Sequence, residues 1–329
     1  MSSSVYLRNG KSFICEPDES ILDAAKRQSL ILEYSCTTGQ CGICKAKLKS
    51  GETLVLHKEE ALSEDDLSAG LILTCCRSAT SNSVLDIEDI SLFAEFPVMT
   101  LPCRIESLEF LEKDIVQVVL RFPPASKLSF LPGQYVNVIG KNGLRRSYSI
   151  ANAPREDGNV TLQIRRVKEG AMSQYWFEEA KLNDLLRVEG PMGTFCLRKT
   201  DSDILILLAT GTGIAPIKAI LEQLENTFET LPFKSIHLYW GGRHQKDIYW
   251  NPSFSNLPLK FIPVLSRENN WEGRNGYVQN QVLLDKLQLS NAVVYACGSE
   301  KMINSSFLLL TDAELPENNF YSDAFVSTY

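Results

Sequence analysis

Apolar and polar residues follow three successive rhythms along this chain. Short alternating runs at 5–9 and 11–16, parted by Gly10, predict a pair of strands. Ser20-Ile-Leu-Asp23 sets a serine ahead of an apolar stretch and an acid three residues on, which predicts a capped helix from Ser20 to about residue 29. An alternating run at 83–87 closes this small α+β module, and a short connector follows at 96–100. From 101 to about 199 strand patterns crowd together, at 103–108, 115–122, 134–139, 147–151, 160–166 and 186–190, a density that predicts a barrel. From 201 onward the rhythm becomes strand, glycine loop, helix, with apolar runs at 204–208, 235–240, 260–265 and 292–297. That order predicts a parallel sheet with crossover helices.

Length supports several modules, since 329 residues suit two or three domains. The longest purely apolar stretch, 204–209, is far short of the ~20 residues of a membrane-spanning helix, so no membrane insertion follows. The start, Met1-Ser-Ser-Ser-Val-Tyr-Leu-Arg8, lacks the layout of a secretory signal. With nine cysteines, an odd number, it points to a reducing cytoplasm rather than to disulfides. Net charge is −7 and unevenly spread: residues 1–99 hold 9 Lys and Arg against 15 Asp and Glu, while 100–329 hold 24 against 25. This acidity argues against nucleic acid as a partner. Much of it lies in Lys58-Glu-Glu-Ala-Leu-Ser-Glu-Asp-Asp-Leu67, which reads either as a solvated face or as an acidic field that steers a basic protein into contact.

Four cysteines carry the most specific chemistry. Cys36, Cys41 and Cys44 lie in one short loop, and Cys75 follows in Leu73-Thr-Cys-Cys76. Their C-x4-C-x2-C…C spacing is the plant-type [2Fe-2S] pattern. Three thiolates so close in sequence can wrap one side of a two-iron cluster only if the backbone turns sharply, and Gly39 and Gly42 supply that freedom. A structural zinc site more often shows two C-x2-C knuckles, and only one is present. Cys76 competes with Cys75, but neighbouring side chains of an extended segment point to opposite sides, so Cys75 is taken as the ligand. Cys15, Cys103 and Cys196 lie in segments that read as half-buried strands, where cysteine acts as a small apolar residue.

Two further regions carry ligand chemistry. In the barrel segment, Leu131-Pro-Gly-Gln-Tyr135 and Arg145-Arg-Ser-Tyr-Ser-Ile150 stand out; Arg146 and Tyr148 would share one face of a strand. Arginine suits a pyrophosphate, tyrosine offers a flat face to a ring, and the hydroxyl of Ser149 can bond a ring nitrogen, a set that a flavin dinucleotide would use. Gly170, Ala171, Met172 and Ser173 lead into a helical pattern at 174–180, whose free backbone N–H groups would face a phosphate. In the last third, the loop holding Gly211, Thr212, Gly213 and Pro216 follows an apolar strand and precedes a helical pattern at 217–225. Strand, loop and helix in that order suit the phosphates of a nicotinamide dinucleotide. Cys297, Gly298 and Ser299 follow another apolar strand and would lie near the nicotinamide. Ser266 and Arg267, with Tyr277, resemble the 2′-phosphate grip of NADPH-using enzymes, though Arg267 also reads as a solvated loop residue. Histidines are few, His57, His237 and His244, and no nucleophile–base pair stands out.

Taken in order, the four cysteines, the Arg146–Ser149 run, the Gly170–Ser173 turn, the Gly211–Pro216 loop and the Cys297–Ser299 run resemble ferredoxin:NADP+ reductase-type flavoproteins with an N-terminal plant-type ferredoxin. With Leu101-Pro-Cys-Arg104 and Phe320-Tyr-Ser-Asp-Ala-Phe325, the pattern looks most like the CDP-6-deoxy-delta-3,4-glucoseen reductases. The resemblance implies a β-grasp ferredoxin domain at 1–95, an antiparallel β-barrel FAD domain at 100–200 and an α/β parallel-sheet NAD(P)-binding domain at 201–329. It places Arg146, Ser147, Tyr148 and Ser149 on FAD, with Ser149 on the N5 side, and sets Phe325 beside the flavin, with Tyr329 as a rival for that place. Electrons would then pass from NAD(P)H, by preference NADH, through FAD to the cluster and on to a protein partner. For this group the partner is a pyridoxamine-phosphate-dependent CDP-4-keto-6-deoxyglucose dehydratase of 3,6-dideoxyhexose biosynthesis. Reductase components of ring-hydroxylating or multicomponent oxygenases share the same modules, and a non-enzymatic redox sensor is a further alternative.

Overall fold

The computed structural model describes residues 2–325 apart from 91, 92, 94, 141, 142 and 269. They form two compact units, one within residues 1–97 and one spanning Val98–Phe325.

In the first unit, β1 (Ser3–Leu7) and β2 (Ser12–Cys15) pair antiparallel around Gly10. Ser20 caps α1 (Ile21–Arg27) by accepting the Asp23 N–H, and its hydroxyl in turn donates to the Asp23 carboxylate. The helix stops earlier than the sequence pattern suggested. Then come β3 (Lys45–Ser50), β4 (Thr53–Val55), α2 (Glu64–Ser68), β5 (Leu71–Leu73), β6 (Arg77–Ala79) and β7 (Ser83–Leu85). The main sheet runs β2-β1-β7-β3-β5, with β1 and β7 parallel, and β4 pairs with β6 apart from it. Val5, Phe13, Ile21, Leu22, Leu73 and Leu85 fill its core.

The acidic run is more than a solvated face. Ser63 and Asp66 form a reciprocal capping box that starts α2, and Asp66 also pairs with Lys45 at 2.9 Å. Glu59 is buried against Arg77 at 2.7 Å and accepts the Leu73 N–H. Glu64 and Asp65 remain exposed.

The second unit opens with six antiparallel strands: β8 (Met99–Glu112), β9 (Ile115–Arg121), β10 (Tyr135–Ile139), β11 (Arg145–Ser149), β12 (Val160–Arg165) and β13 (Leu185–Met192). Their order is β11-β10-β13-β8-β9-β12, and a bridge between Ile150 and Leu162 joins the two ends, closing the barrel. Ile105, Val118, Leu120, Val136 and Leu162 are completely buried inside it. The expected connector is shorter than the pattern suggested, because β8 already pairs with β13 from Met99. The helix expected at 174–180 is instead a short α3 (Ala171–Gln174) that widens into a π turn over Tyr175–Glu179. Cys196 is buried in the loop after β13 rather than in a strand.

Six parallel strands follow: β14 (Ile204–Thr210), β15 (Ser235–Gly242), β16 (Leu259–Leu265), β17 (Arg274–Asn275), β18 (Ala292–Ser299) and β19 (Phe320–Phe325), with α4 (Ile214–Asn226), α5 (Val278–Leu284) and α6 (Glu300–Asp312). Near-continuous burial along β14, β15 and β18 reflects a sheet covered on both faces. The order β17-β16-β15-β14-β18-β19 reverses direction between β14 and β18. Ligands of such sheets bind beyond the carboxyl ends of the strands at that reversal. Among the described residues no helix is long and apolar enough to cross a membrane.

Candidate redox sites

Two segments of the first unit, the 36–44 loop and the turn between β5 and β6, bring the four predicted cysteines together as two pairs. Cys44 and Cys75 place their sulfurs 3.2 Å apart. Cys36 and Cys41 are tied by reciprocal bonds, the Cys36 N–H to the Cys41 Sγ at 3.5 Å and the Cys41 N–H to the Cys36 Sγ at 3.4 Å, while the Thr38 N–H adds a further donor to Cys36. Hydrogen bonding from Cys41 pulls the Cys36 thiol down to about 4, whereas Cys41 and Cys44 are pushed up by their sulfur partners and by burial. Among the described residues no three ligands converge as a single metal ion would require. Two sulfur pairs with backbone donors fit two adjacent irons, each needing two protein thiolates.

The loop glycines are required by space as well as by conformation. Gly39 has φ +79°, and a Cβ there would lie 2.4 Å from the Lys58 carbonyl oxygen and 2.7 Å from the Cys76 Sγ. Cys76 departs from the sequence expectation. Residues 74–76 form a turn rather than an extended segment, so the Cys75 and Cys76 sulfurs sit 3.5 Å apart instead of on opposite sides.

On the barrel, β11 presents Arg146 and Tyr148 on one face, both half-buried, and Arg145, Ser147 and Ser149 on the other. The Tyr148 hydroxyl accepts the Trp176 indole N–H at 3.0 Å, which fixes the ring, and burial pushes its pKa up to about 12. Ser147 donates to Asn137 at 2.7 Å and so ties β11 to β10, while Ser149 is buried opposite Tyr135. The Ser173 hydroxyl accepts the Val167 N–H at 2.8 Å and Met172 is buried. Gly170 precedes the first turn of α3, where the N–H groups of Ala171, Met172 and Ser173 have no acceptor within the helix. The Leu131–Tyr135 motif shapes the barrel itself. Gly133, at φ +104°, would place a Cβ 1.8 Å from the Phe195 carbonyl oxygen, and Gln134 bonds both Leu131 and Gly193.

At the reversal of the parallel sheet, Gly211, Thr212 and Gly213 form a single turn of 3-10 helix that leads into α4, with Pro216 in the first turn, where its missing N–H costs nothing. The Gly211 carbonyl accepts the Trp240 indole N–H at 3.0 Å. Gly298, at φ +147°, lies so close to Thr210 that a Cβ would meet its Oγ1 at 2.1 Å, and the Thr210 hydroxyl accepts the Ser299 N–H. Ser266 and Arg267 are exposed just past the end of β16, and Tyr277 is 64% exposed.

The Cys297 thiol is completely buried, and burial together with the nearby Asp323 pushes its pKa far up. Phe325, 40% exposed, stands across from Ser299 in the β18–β19 register; Tyr329 lies outside the described residues. Sequence reasoning passed over Asp323. It is 5% exposed, pairs in register with Cys297 and raises the Cys196 pKa as well. Its signal was a lone acid inside the mixed Phe320–Phe325 run, which only the parallel pairing of β19 with β18 places at the reversal.

Residues 6–80 match the 2Fe-2S iron-sulfur cluster binding domain, 102–196 the oxidoreductase FAD-binding domain and 207–306 the oxidoreductase NAD-binding domain. The chain is 41% identical to the CDP-6-deoxy-L-threo-D-glycero-4-hexulose-3-dehydrase reductase of Yersinia pestis, over 99% of both chains. It is 29% identical to the terephthalate 1,2-dioxygenase reductase component 1 of Comamonas sp, over 100% of this chain and 98% of that one. Among solved structures, the cytochrome P450 reductase GcoB of Amycolatopsis covers 98% of both chains at 25% identity with a TM-score of 0.76. The cofactors are a [2Fe-2S] cluster, FAD and NAD(P)H. Paired thiolates, a barrel with a fixed tyrosine platform and a glycine loop at the sheet reversal thus agree with the three matched domains, and the chain belongs to the ferredoxin:NADP+ reductase-type iron–sulfur flavoproteins, as an NAD(P)H-dependent oxidoreductase like the CDP-6-deoxyhexulose dehydrase reductases.

Proposed function

We propose that this reductase delivers electrons to a pyridoxamine-phosphate-dependent dehydratase that removes the 3-hydroxyl of a CDP-4-keto-6-deoxyhexose in 3,6-dideoxyhexose biosynthesis, working in the cytoplasm. The observation that carries this reading is the 41% identity, end to end, with a reductase named for such a dehydrase. FAD bound here would supply the conversion from two-electron hydride chemistry to single-electron transfer toward the iron–sulfur group. We divide the chain into a ferredoxin module at 1–95, a flavin module at 100–200 and a nicotinamide module at 201–329.

In this reading Cys36, Cys41, Cys44 and Cys75 hold the cluster. Arg146 and the Gly170–Ser173 turn neutralise the FAD pyrophosphate, and Tyr148, held by Trp176, supports the flavin ring. The buried Ser149 lies at the N5 side. Gly211, Thr212 and Gly213 admit the nicotinamide dinucleotide to the sheet, with the backbone of Cys297, Gly298 and Ser299 opposite. Because the Cys297 thiol is enclosed, it shapes the floor of the site. Phe325 would stand beside the flavin where the nicotinamide must enter. Ser266 and Arg267 allow NADPH while NADH is preferred; a large rise in the NADPH KM on Arg267→Ala, with NADH untouched, would reverse that preference.

The test is an anaerobic coupled assay with NADH, the dehydratase and CDP-4-keto-6-deoxyglucose, alongside cytochrome c reduction. Formation of the 3-deoxy product supports the reading. Fast cytochrome c reduction without that product favours the second reading, an oxygenase reductase component, for which the similarity to the terephthalate dioxygenase reductase speaks. Absence of NAD(P)H turnover with ferricyanide would leave a non-enzymatic redox sensor.

A further inference from the structure

The barrel and the parallel sheet of the second unit meet through directional polar bonds at one face of α4. Lys218 donates to the Ala151 carbonyl at 3.0 Å and pairs with Glu222 one turn on, and Glu222 accepts the Ala153 N–H at 3.0 Å and lies 3.5 Å from Arg155. Spacing of four residues puts both side chains on the same helix face. The opposite face of α4 packs Ile217, Ile220, Leu221 and Leu224 into the sheet core, so the helix does not roll.

The barrel side is equally rigid. Ala151 donates its N–H to Thr161 at 2.8 Å, and the fully buried Asn152 accepts the Thr161 N–H at 2.6 Å while its amide bonds Ala153 and Asn159. Ala151 comes two residues after Ser149, and Lys218 five residues after Gly213. The contact therefore joins a segment two residues from the flavin-side serine to a helix position five residues from the nicotinamide loop.

An apolar junction would tolerate sliding, whereas bonds to two backbone groups of one segment fix both distance and angle. A partly buried ion pair adds little net stability, because desolvation offsets the attraction. Geometry is what such a pair can supply. We propose that Lys218 and Glu222 are positioning residues for hydride transfer, clamping α4 to the 151–153 segment so that the nicotinamide loop is held at reacting distance from the flavin. This rests on the placement of Ser149 at the flavin and of Gly211, Thr212 and Gly213 at the nicotinamide.

The experiment is stopped-flow anaerobic reduction of the FAD-loaded full chain by NADH, in Lys218→Met, Lys218→Arg, Glu222→Gln and Ser149→Ala. Flavin content, thermal midpoint and the long-wavelength charge-transfer absorbance are recorded with each. The clamp predicts that Lys218→Met and Glu222→Gln lower the saturating reduction rate about tenfold, within the range known for small misplacements of reacting groups. Their nucleotide Kd should change less than about twofold and their charge-transfer absorbance should weaken. Lys218→Arg, which keeps the charge and donors, should recover most of the rate. Wild-type rates in both Lys218→Met and Glu222→Gln with Ser149→Ala slowed would overturn the clamp. If Ser149→Ala is also without effect, the flavin placement falls and the clamp with it. A rate loss that tracks flavin loss or a fallen thermal midpoint, with unchanged charge-transfer absorbance, would mark a merely structural contact and likewise overturn it.

Discussion

Gly213→Ala offers a test of the nicotinamide loop because its cost is purely steric. Gly213 has φ −59° and ψ −12°, which any residue adopts, so backbone strain does not enter. A Cβ, however, would sit 2.2 Å from the Cys297 carbonyl oxygen, 2.6 Å from its carbon and 3.0 Å from the Gly298 Cα. These are backbone atoms of β18, which is held on both sides by β14 and β19 and cannot swing aside as a side-chain tip would. Ordinary contact then requires the loop and the strand end to part by about 1 Å. Overpacking of this kind costs about 1–3 kcal/mol, and a displacement of ~1 Å at reacting groups can slow chemistry by about 10²-fold.

Gly211→Ala is the matched control. At φ +54° it pays a conformational cost of about 1 kcal/mol, but the nearest atom to its Cβ, Nε of Arg165, is 3.8 Å away. Stopped-flow reduction of FAD by NADH should therefore show Gly213→Ala at least about tenfold slower than Gly211→Ala, with flavin retained in both. A Gly213→Ala protein that reduces its flavin within twofold of wild type would refute the argument from close approach.

Cys75→Ala should lose the visible absorbance and EPR signal of the cluster while Cys76→Ala keeps both, since Cys75 is the sulfur beside Cys44; the reverse result would exchange their roles. Glu64→Gln with Asp65→Asn should flatten the salt dependence of electron delivery at unchanged thermal midpoint. Asp66→Asn should instead lower the midpoint, through a loss of about 1 kcal/mol of stability, because Asp66 closes the capping box with Ser63 and pairs with Lys45. For Asp285, burial alone would raise the pKa, but the Tyr239 hydroxyl at 2.7 Å with Lys260 and Arg274 outweighs it and holds the carboxyl below the usual range. A depressed folded pKa adds stability that is full above the unfolded value of about 3.9 and is lost as pH falls through the folded value. Asp285→Asn should therefore lower the thermal midpoint at pH 7 and narrow its difference from wild type near pH 2; an equal difference at both pH values would refute the ionic account.

Much of this protein was legible before its structure, for reasons that differ by region. The gathering of the cysteines is local: three of the four proposed ligands lie within nine residues, so their spacing and two loop glycines already bring them close. The long apolar runs of β14, β15 and β18 likewise announce a parallel sheet, because strands buried on both faces need no alternation. Short strands such as β3, Lys45-Ala-Lys-Leu-Lys-Ser50, escaped notice because their alternation rests on Ala46 and Leu48 alone and their pairing is made by distant partners. Cys76 escaped for a related reason: whether two neighbouring side chains diverge depends on a turn that the sequence alone did not specify. The Lys218–Glu222 clamp bridges sequence separations of 67 and 69 residues, and Asp323 reaches the site only through the β18–β19 register. Such contacts depend on where two packed modules meet, so tertiary structure alone decides them.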